Sequence, residues 1–228
     1  MKRITRCLLA IAMVASPISS LAAWGDSVTL LAVADTGLYK HSAEDRDNFG
    51  KDQWIEIDPL AQHALVRWDV ASLPHGAKVI AARIELSGFI SDEKVRHVVQ
   101  GFLVTHDWVE GHGVNIGHYP WSGLPRDGAS WDTFDGFDAH PYDTWRTPGG
   151  DCDPQPVATG ETRPGQKSYL DAHDGRLVLD ATALVRSWVE AGRPNYGVLL
   201  TCVDSRFKFQ TRECAQRSPR LIVEYAVP

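Results

Sequence analysis

The chain has 228 residues and a formal net charge of −6 at pH 7. An acidic overall field argues against nucleic acid and anionic membrane surfaces as partners. Eight Trp, thirteen Pro and nineteen Gly residues favour a protein of many strands and long structured loops over a helical one.

Residues 1–22 have the features of a secretory signal peptide. They contain, in order, a basic start, an apolar core and a small-residue cleavage site: Lys2, Arg3 and Arg6, then Cys7–Ala15, then Ser20–Ala22. Such a segment is too short to span a membrane. We expect cleavage after Ala22 or Ala23, a secreted or periplasmic protein, and a mature charge of −6 − 3 = −9.

Residues 23–228 are predicted to form a single all-β domain. Apolar runs and period-two alternation predict the strands Val28–Val33, Ile55–Ile57, Ala64–Val70, Val79–Phe89, Val98–Val104, Arg176–Leu179, Val198–Cys202, Phe207–Thr211 and Leu221–Tyr225. The series shows no βαβ rhythm and no internal repeat. It therefore favours an antiparallel jelly-roll β-sandwich.

One short helix is predicted near the C-terminus. Asp180 is placed to N-cap it, and its apolar face carries Leu184, Val185, Trp188 and Val189. Gly192 and Pro194 end it, because glycine tolerates a left-handed C-cap and proline cannot continue a helix. A helix of about three turns is not stable alone in water, so we expect it to pack on the β domain.

Between Thr105 and His173 the strand pattern disappears, and so long an irregular stretch is often functional. Its aromatic residues are Tyr119, Trp121, Trp131, Phe134, Phe137, Tyr142 and Trp145. Exposed rings can pack on the C–H faces of sugars, and Arg126 and Arg146 could supply charge for an acidic sugar. We select Tyr119, Trp121, Arg126, Trp131, Trp145 and Arg146 as candidate ligand contacts. The alternative is that the rings form a small core beneath the loop.

Three cysteines remain after the signal peptide is removed. In an oxidising compartment they allow one disulfide and leave one thiol. Cys152 and Cys214 lie in polar, turn-rich segments, whereas Cys202 shares a strand face with the apolar Leu200. We therefore predict a Cys152–Cys214 disulfide and a buried free thiol at Cys202.

A series of short motifs along nearly all of the mature chain resembles the DNRLRE domain family, which is related to the archaeal disaggregatase repeat and to carbohydrate-binding modules. The motifs are Ala34-Asp35-Thr36, Asn48-Phe49-Gly50, Arg67–Val70 with Ser72-Leu73-Pro74, Ile80–Leu86, Asp107–Gly111, Ser130-Trp131, Gly149-Gly150-Asp151, Asp180-Ala181-Thr182 with Trp188, Asn195-Tyr196-Gly197, Arg212-Glu213 and Pro219-Arg220-Leu221. The resemblance implies a jelly-roll fold and association with polysaccharide outside the cell.

Four charged residues belong to these motifs: Arg67, Asp180, Arg212 and Glu213. They could recognise an acidic sugar, because arginine pairs bidentately with carboxylates. Arg67 lies in the middle of an alternating strand and Glu213 closes another. The positions therefore favour a structural ion network that fixes the strands to the helix cap.

Asp151 and Asp153 are oxygen ligands on a glycine-rich loop, of the kind that Ca²⁺ prefers. The resemblance to jelly-roll binding modules adds Asp35 to a possible structural Ca²⁺ site. Solvated aspartates without a bound ion are the alternative.

The sequence favours a secreted protein that binds a polysaccharide or cell-envelope glycan, plausibly an acidic one, over an enzyme. His106, His112 and His118 match no zinc signature, and no nucleophile elbow is present. Two alternatives stay open. One is a lyase or glycosidase on the same fold, for which Asp132, Asp135, Asp138 and Asp143 could supply carboxylates. The other is a structural protein of the envelope or matrix.

Overall fold

A computed structural model describes residues 25–40, 45–90, 96–114, 125–162, 169–170 and 176–227. The strands there are β1 (Asp26–Tyr39), β2 (Trp54–Ile57), β3 (Gln62–Trp68), β4 (Lys78–Leu86), β5 (Gly88–Ile90), β6 (Val98–Val104), β7 (Cys152–Glu161), β8 (Tyr169–Leu170), β9 (Leu177–Asp180), β10 (Val198–Cys202), β11 (Phe207–Gln210) and β12 (Arg220–Ala226). The helix α1 spans Thr182–Val189. The predicted signal peptide lies outside the described residues.

Eight strands pair antiparallel into a closed barrel in the order β1-β12-β4-β9-β7-β6-β10-β3. The shorter strands form a second sheet, β2-β11-β5-β8. The predicted all-β class with one short helix is confirmed. The jelly-roll sandwich of the prediction is not confirmed, because main-chain pairing continues around the whole ring instead of stopping at the edges of two sheets.

Strand β1 accounts for one side of this closure. Its first part, Asp26–Leu31, pairs with β12, and its second part, Ala32–Tyr39, pairs with β3. The register shifts between Ala32 and Ala34. Irregularities of this kind bend a strand and increase its twist, so β1 turns from one wall of the barrel into the next.

Strand β7 was not predicted, because Pro154, Pro156 and Gly160 hide any alternation. It pairs with β6 over most of its length but meets β9 at a single position, Thr159 opposite Asp180. Proline has no N–H to donate, and it is tolerated where a second neighbouring strand is absent. The two prolines therefore fit the half of β7 that has only one partner.

The alternation predicted for β3 separates two hydrophobic cores. Val66 and Trp68 belong to the main core inside the barrel, together with buried side chains of the second sheet and of α1. Leu65 points to the other side and belongs to a second core with Trp108, Trp131 and other loop residues. The long loop is therefore packed against the outer wall of the barrel.

Helix α1 packs against β4 and β7 and buries Leu184, Val185 and Trp188. It has eight residues, about one turn fewer than predicted. The capping position is Ala181 rather than Asp180, whose Oδ1 accepts hydrogen bonds from the Thr182 N–H (2.9 Å) and hydroxyl (2.7 Å). In the described ranges, no helix has the length and apolar character needed to cross a membrane.

Candidate functional site

A cluster of charged residues joins the start of the long loop to the barrel; we call it the Arg212 cluster, comprising Asp35, Lys51, Glu110, Arg212 and Glu213. The Arg212 guanidinium donates two hydrogen bonds to the Glu110 carboxylate, from Nε to Oε1 at 2.5 Å and from Nη2 to Oε2 at 2.7 Å. Lys51 Nζ lies 2.8 Å from Glu110 and 2.9 Å from Glu213. Glu110 belongs to the loop, so these contacts fasten the loop to β1 and to the turn after β11.

Asp35 is the buried member of the Arg212 cluster, with 1% of its surface exposed. Its Oδ2 accepts the main-chain N–H of Arg212 at 2.7 Å, and its Oδ1 has no hydrogen-bond partner among the described residues. Burial raises the pKa of Asp35 to about 7 and outweighs the Arg212 N–H bond; the nearby Glu110 and Glu213 carboxylates raise it further. The pKa of Glu110 is lowered despite its burial, because Arg212 and Lys51 donate to it. Asp35 therefore holds a proton under mildly acidic conditions, while Glu110 carries the charge.

Asn48 is a second fastening point for the loop. Its Nδ2 donates to the carbonyls of Glu110 (2.7 Å) and Ala129 (2.9 Å). Its Oδ1 accepts the N–H of Gly50 (3.1 Å) and of Gly113 (2.8 Å). The sequence identified Asn48-Phe49-Gly50 only as a turn, because partners more than sixty positions away leave no local signal.

The predicted ion network is only partly assembled. Arg212 and Glu213 share the Arg212 cluster, but Arg67 and Asp180 lie elsewhere. Arg67 pairs with Asp107 at 2.7 Å and lies over the Trp108 ring. Asp180 binds Thr182 at the start of α1, and these hydrogen bonds lower its pKa. Glu110 is the bidentate partner of Arg212, and Lys51 pairs with both glutamates of the cluster; the prediction included neither residue in the network.

The three aspartates predicted to bind Ca²⁺ do not form one site. Both oxygens of Asp151 accept loop N–H groups, from Arg146 (3.1 Å) and Thr147 (2.9 Å). Asp153 pairs with Arg193 at 2.5 Å, and Asp35 belongs to the Arg212 cluster. In the described part of the chain, the only group of three potential metal ligands that converge comprises other residues. Asp35, Asp151 and Asp153 therefore do not fit a shared ion.

The predicted Cys152–Cys214 disulfide is not formed, and all three described cysteines are free thiols. Cys152 packs against the second core, whereas Cys214 Sγ lies 3.4 Å from the Gln210 amide in the turn after β11. Burial raises the pKa of Cys152 to about 11, and the nearby Asp151 carboxylate raises it further. Cys202 is buried and free, as predicted.

Two of the tryptophans selected as ligand contacts, Trp131 and Trp145, are packing residues. Trp131 is 7% exposed and Trp145 is 4% exposed, and both belong to the second core. The Trp145 indole N–H donates to the Ser130 carbonyl at 2.9 Å. Buried rings cannot receive a sugar, so the predicted role of these two as stacking surfaces is wrong and the alternative of a core beneath the loop applies. Tyr119 and Trp121 lie outside the described residues.

The outer surface of the loop includes residues 142–146, where the Thr144 N–H donates to the Tyr142 carbonyl at 2.9 Å and closes a tight turn. Thr144 pairs with Thr133 in an isolated antiparallel bridge. Trp145 points inward, whereas Tyr142, Thr144 and Arg146 are exposed, and Tyr142 has 92% of its surface free. Among the described residues, the Arg146 guanidinium has no ion-pair partner. Arg126, in contrast, is held by Asp47 at 3.3 Å.

Neither a protein-family model nor a curated protein matches the chain. What the loop surface can bind is therefore argued from its own side chains.

Proposed function

We propose that this is a secreted binding protein that holds an acidic polysaccharide on the loop surface outside its barrel. The observation that carries the proposal is that residues 142–146 expose both the Tyr142 ring and the Arg146 guanidinium, which has no ion-pair partner among the described residues. An aromatic ring packs against the C–H face of a sugar, and a guanidinium pairs bidentately with a carboxylate. The two side chains therefore match the two parts of a uronic acid chain.

The main chain that carries these two side chains is anchored to a neighbouring part of the loop. The Phe134 N–H donates to the Asp143 carbonyl and the Trp145 N–H donates to the Asp132 carbonyl, each at 3.0 Å. Loop sites held in this way lose little conformational entropy on binding.

The order of strands supports a DNRLRE-like jelly roll as the scaffold of this function. If the ring is divided between β1 and β3 and between β7 and β9, it gives two four-stranded sheets, β1-β12-β4-β9 and β3-β10-β6-β7. The order of strands in these two sheets matches that of a jelly roll. The dividing points are the bend in β1 and the single residue pair that joins β7 to β9.

The test is binding of the mature protein to polygalacturonate, hyaluronate and neutral dextran, measured by affinity electrophoresis and calorimetry. We expect an acidic polymer to retard the wild type and Tyr142→Phe but not Tyr142→Ala. Added salt should weaken this retardation, because it screens the ion pair between Arg146 and the polymer. Arg193→Ala is the matched control, because Arg193 is also an exposed arginine but is already paired with Asp153. Binding that survives Tyr142→Ala and Arg146→Ala together would refute the location.

Product analysis of the same incubations separates the other functions. New reducing ends or unsaturated sugars would identify a polysaccharide-cleaving enzyme. Absence of both binding and products would favour a structural role in the envelope or matrix.

A further inference from the structure

Beside the Tyr142–Arg146 segment, three potential metal ligands converge on the loop: Asp135, His140 and Asp143. One ligand atom from each lies within 4.8 Å of the others. His140 Nε2 is 3.9 Å from Asp135 Oδ2, and His140 Nδ1 is 3.5 Å from Asp143 Oδ2. All three side chains reach solvent, so an ion can enter without any movement of the core.

The Asp135 and Asp143 carboxylates differ from three other carboxylates of the loop in what surrounds them. Asp151 accepts two main-chain N–H groups, Asp132 lies near Arg46, and Asp127 is bound by His112. In the described part of the chain, the side chains of Asp135 and Asp143 accept no main-chain hydrogen bond and pair with neither a lysine nor an arginine; the His140 ring is the group that both of them face. Two carboxylates therefore converge on a single imidazole.

We propose that Asp135, His140 and Asp143 form a binding site for a divalent transition-metal ion such as Zn²⁺. One imidazole nitrogen and two carboxylate oxygens suit Zn²⁺, whereas Ca²⁺ takes six to eight oxygen ligands and seldom uses imidazole. Three protein ligands leave at least one coordination position of a tetrahedral ion open. That position is available to a carboxylate or hydroxyl of an external ligand.

The backbone that carries the ligands is fixed before any ion binds. The His140 N–H donates to the Gly136 carbonyl (2.9 Å), the Asp143 N–H donates to the His140 carbonyl (3.1 Å), and the Phe134 N–H closes the segment on Asp143 (3.0 Å). Only side-chain rotations are needed to bring the ligands within bonding distance of a shared ion. The three metal ligands are distinct from Tyr142 and Arg146, so the metal site does not depend on glycan binding.

A bound cation would change the charge next to Tyr142. Without it, an acidic polysaccharide that reaches the Tyr142 ring meets the Asp135 and Asp143 carboxylates; with it, their two negative charges are balanced. If the proposed function holds, Zn²⁺ should strengthen polygalacturonate binding. That second measurement can fail while the metal site itself stands.

The test is titration of the tag-free mature protein with ZnCl₂ by isothermal calorimetry, with CaCl₂ as the comparison. We expect one Zn²⁺ per chain, with affinity at least about tenfold lower in His140→Gln and in Asp143→Asn. His112→Gln is the matched control, since His112 is also exposed but faces a single carboxylate, Asp127, at 2.7 Å. Equal Zn²⁺ affinity in wild type and His140→Gln, no Zn²⁺ binding at all, or Ca²⁺ binding that exceeds Zn²⁺ binding would each overturn the proposal.

Discussion

Replacing Asp35 with Asn should make the protein more stable at neutral and alkaline pH than the wild type. Asp35 is buried, and its Oδ1 has no hydrogen-bond partner among the described residues. Asparagine retains an oxygen that can accept the Arg212 N–H, and its amide group occupies the place of the unpartnered oxygen. The substitution therefore removes the ionisable group while it keeps the shape and the one hydrogen bond of the site.

The magnitude follows from the pKa of Asp35, which is raised from 3.8 to about 7 in the folded protein. A carboxyl group with a higher pKa when folded binds its proton more tightly in the native state, so stability falls as pH rises between these two values and is constant above them. Each pKa unit corresponds to about 1.4 kcal/mol, which gives a loss of about 4 kcal/mol over the whole window. About 3 kcal/mol of this falls above pH 5, most of it before pH 7.

Urea unfolding followed by tryptophan fluorescence at pH 5, 6, 7 and 8 measures this loss directly. The difference in unfolding free energy between Asp35→Asn and wild type should grow by about 3 kcal/mol from pH 5 to pH 8 and then stop growing. The lowered pKa of Glu110 affects stability only below its ordinary value of 4.5, outside this range. Asp69→Asn, which alters an exposed carboxylate, is the control and should follow the wild-type curve. Parallel curves for Asp35→Asn and wild type would refute the reasoning.

Three further changes test the packing of the loop. Trp145→Ala should lower the unfolding free energy in urea by about 3–5 kcal/mol, because it empties part of the second core; a loss under 1 kcal/mol would show that the ring is dispensable. Arg212→Lys should cost about 2 kcal/mol in the same assay, since a lysine cannot form the two-fork contact with Glu110, and a neutral result would contradict the fastening role of the Arg212 cluster. Native iodoacetamide labelling should modify the half-buried Cys214 before the buried Cys202, and recovery of a Cys152–Cys214 disulfide peptide would reverse the assignment of free thiols.

Period-two alternation was enough to predict most strands, because strands such as β3 and β10 place apolar side chains regularly on the barrel side. It missed β7, whose prolines are allowed by a missing neighbour that only the tertiary structure reveals. Closure of the barrel was equally hidden, since it depends on the bend in β1 at Ala32–Ala34.

The candidate site was less predictable because composition does not report burial. Trp131, Trp145 and Tyr142 look alike in the sequence, yet only Tyr142 is exposed. The partners of Arg212 are equally invisible locally: Glu110 lies about a hundred positions earlier, and only the docked loop brings them together. Arg126 and Arg146 were both selected from the sequence for their charge. Among the described residues the Arg146 guanidinium has no ion-pair partner, whereas the Arg126 guanidinium is already paired with Asp47.

The four hydrogen bonds of Asn48 bear on the order of folding events. Three of them connect positions 62 to 81 residues apart, so a large entropy of loop closure is lost before any of them forms. Contacts of such sequence separation are slow to form, and we expect the loop to dock on an already assembled barrel. Tyr142 and Arg146 lie on this loop and would reach their final positions only in this last step, so the surface proposed to bind a polysaccharide would form after the barrel.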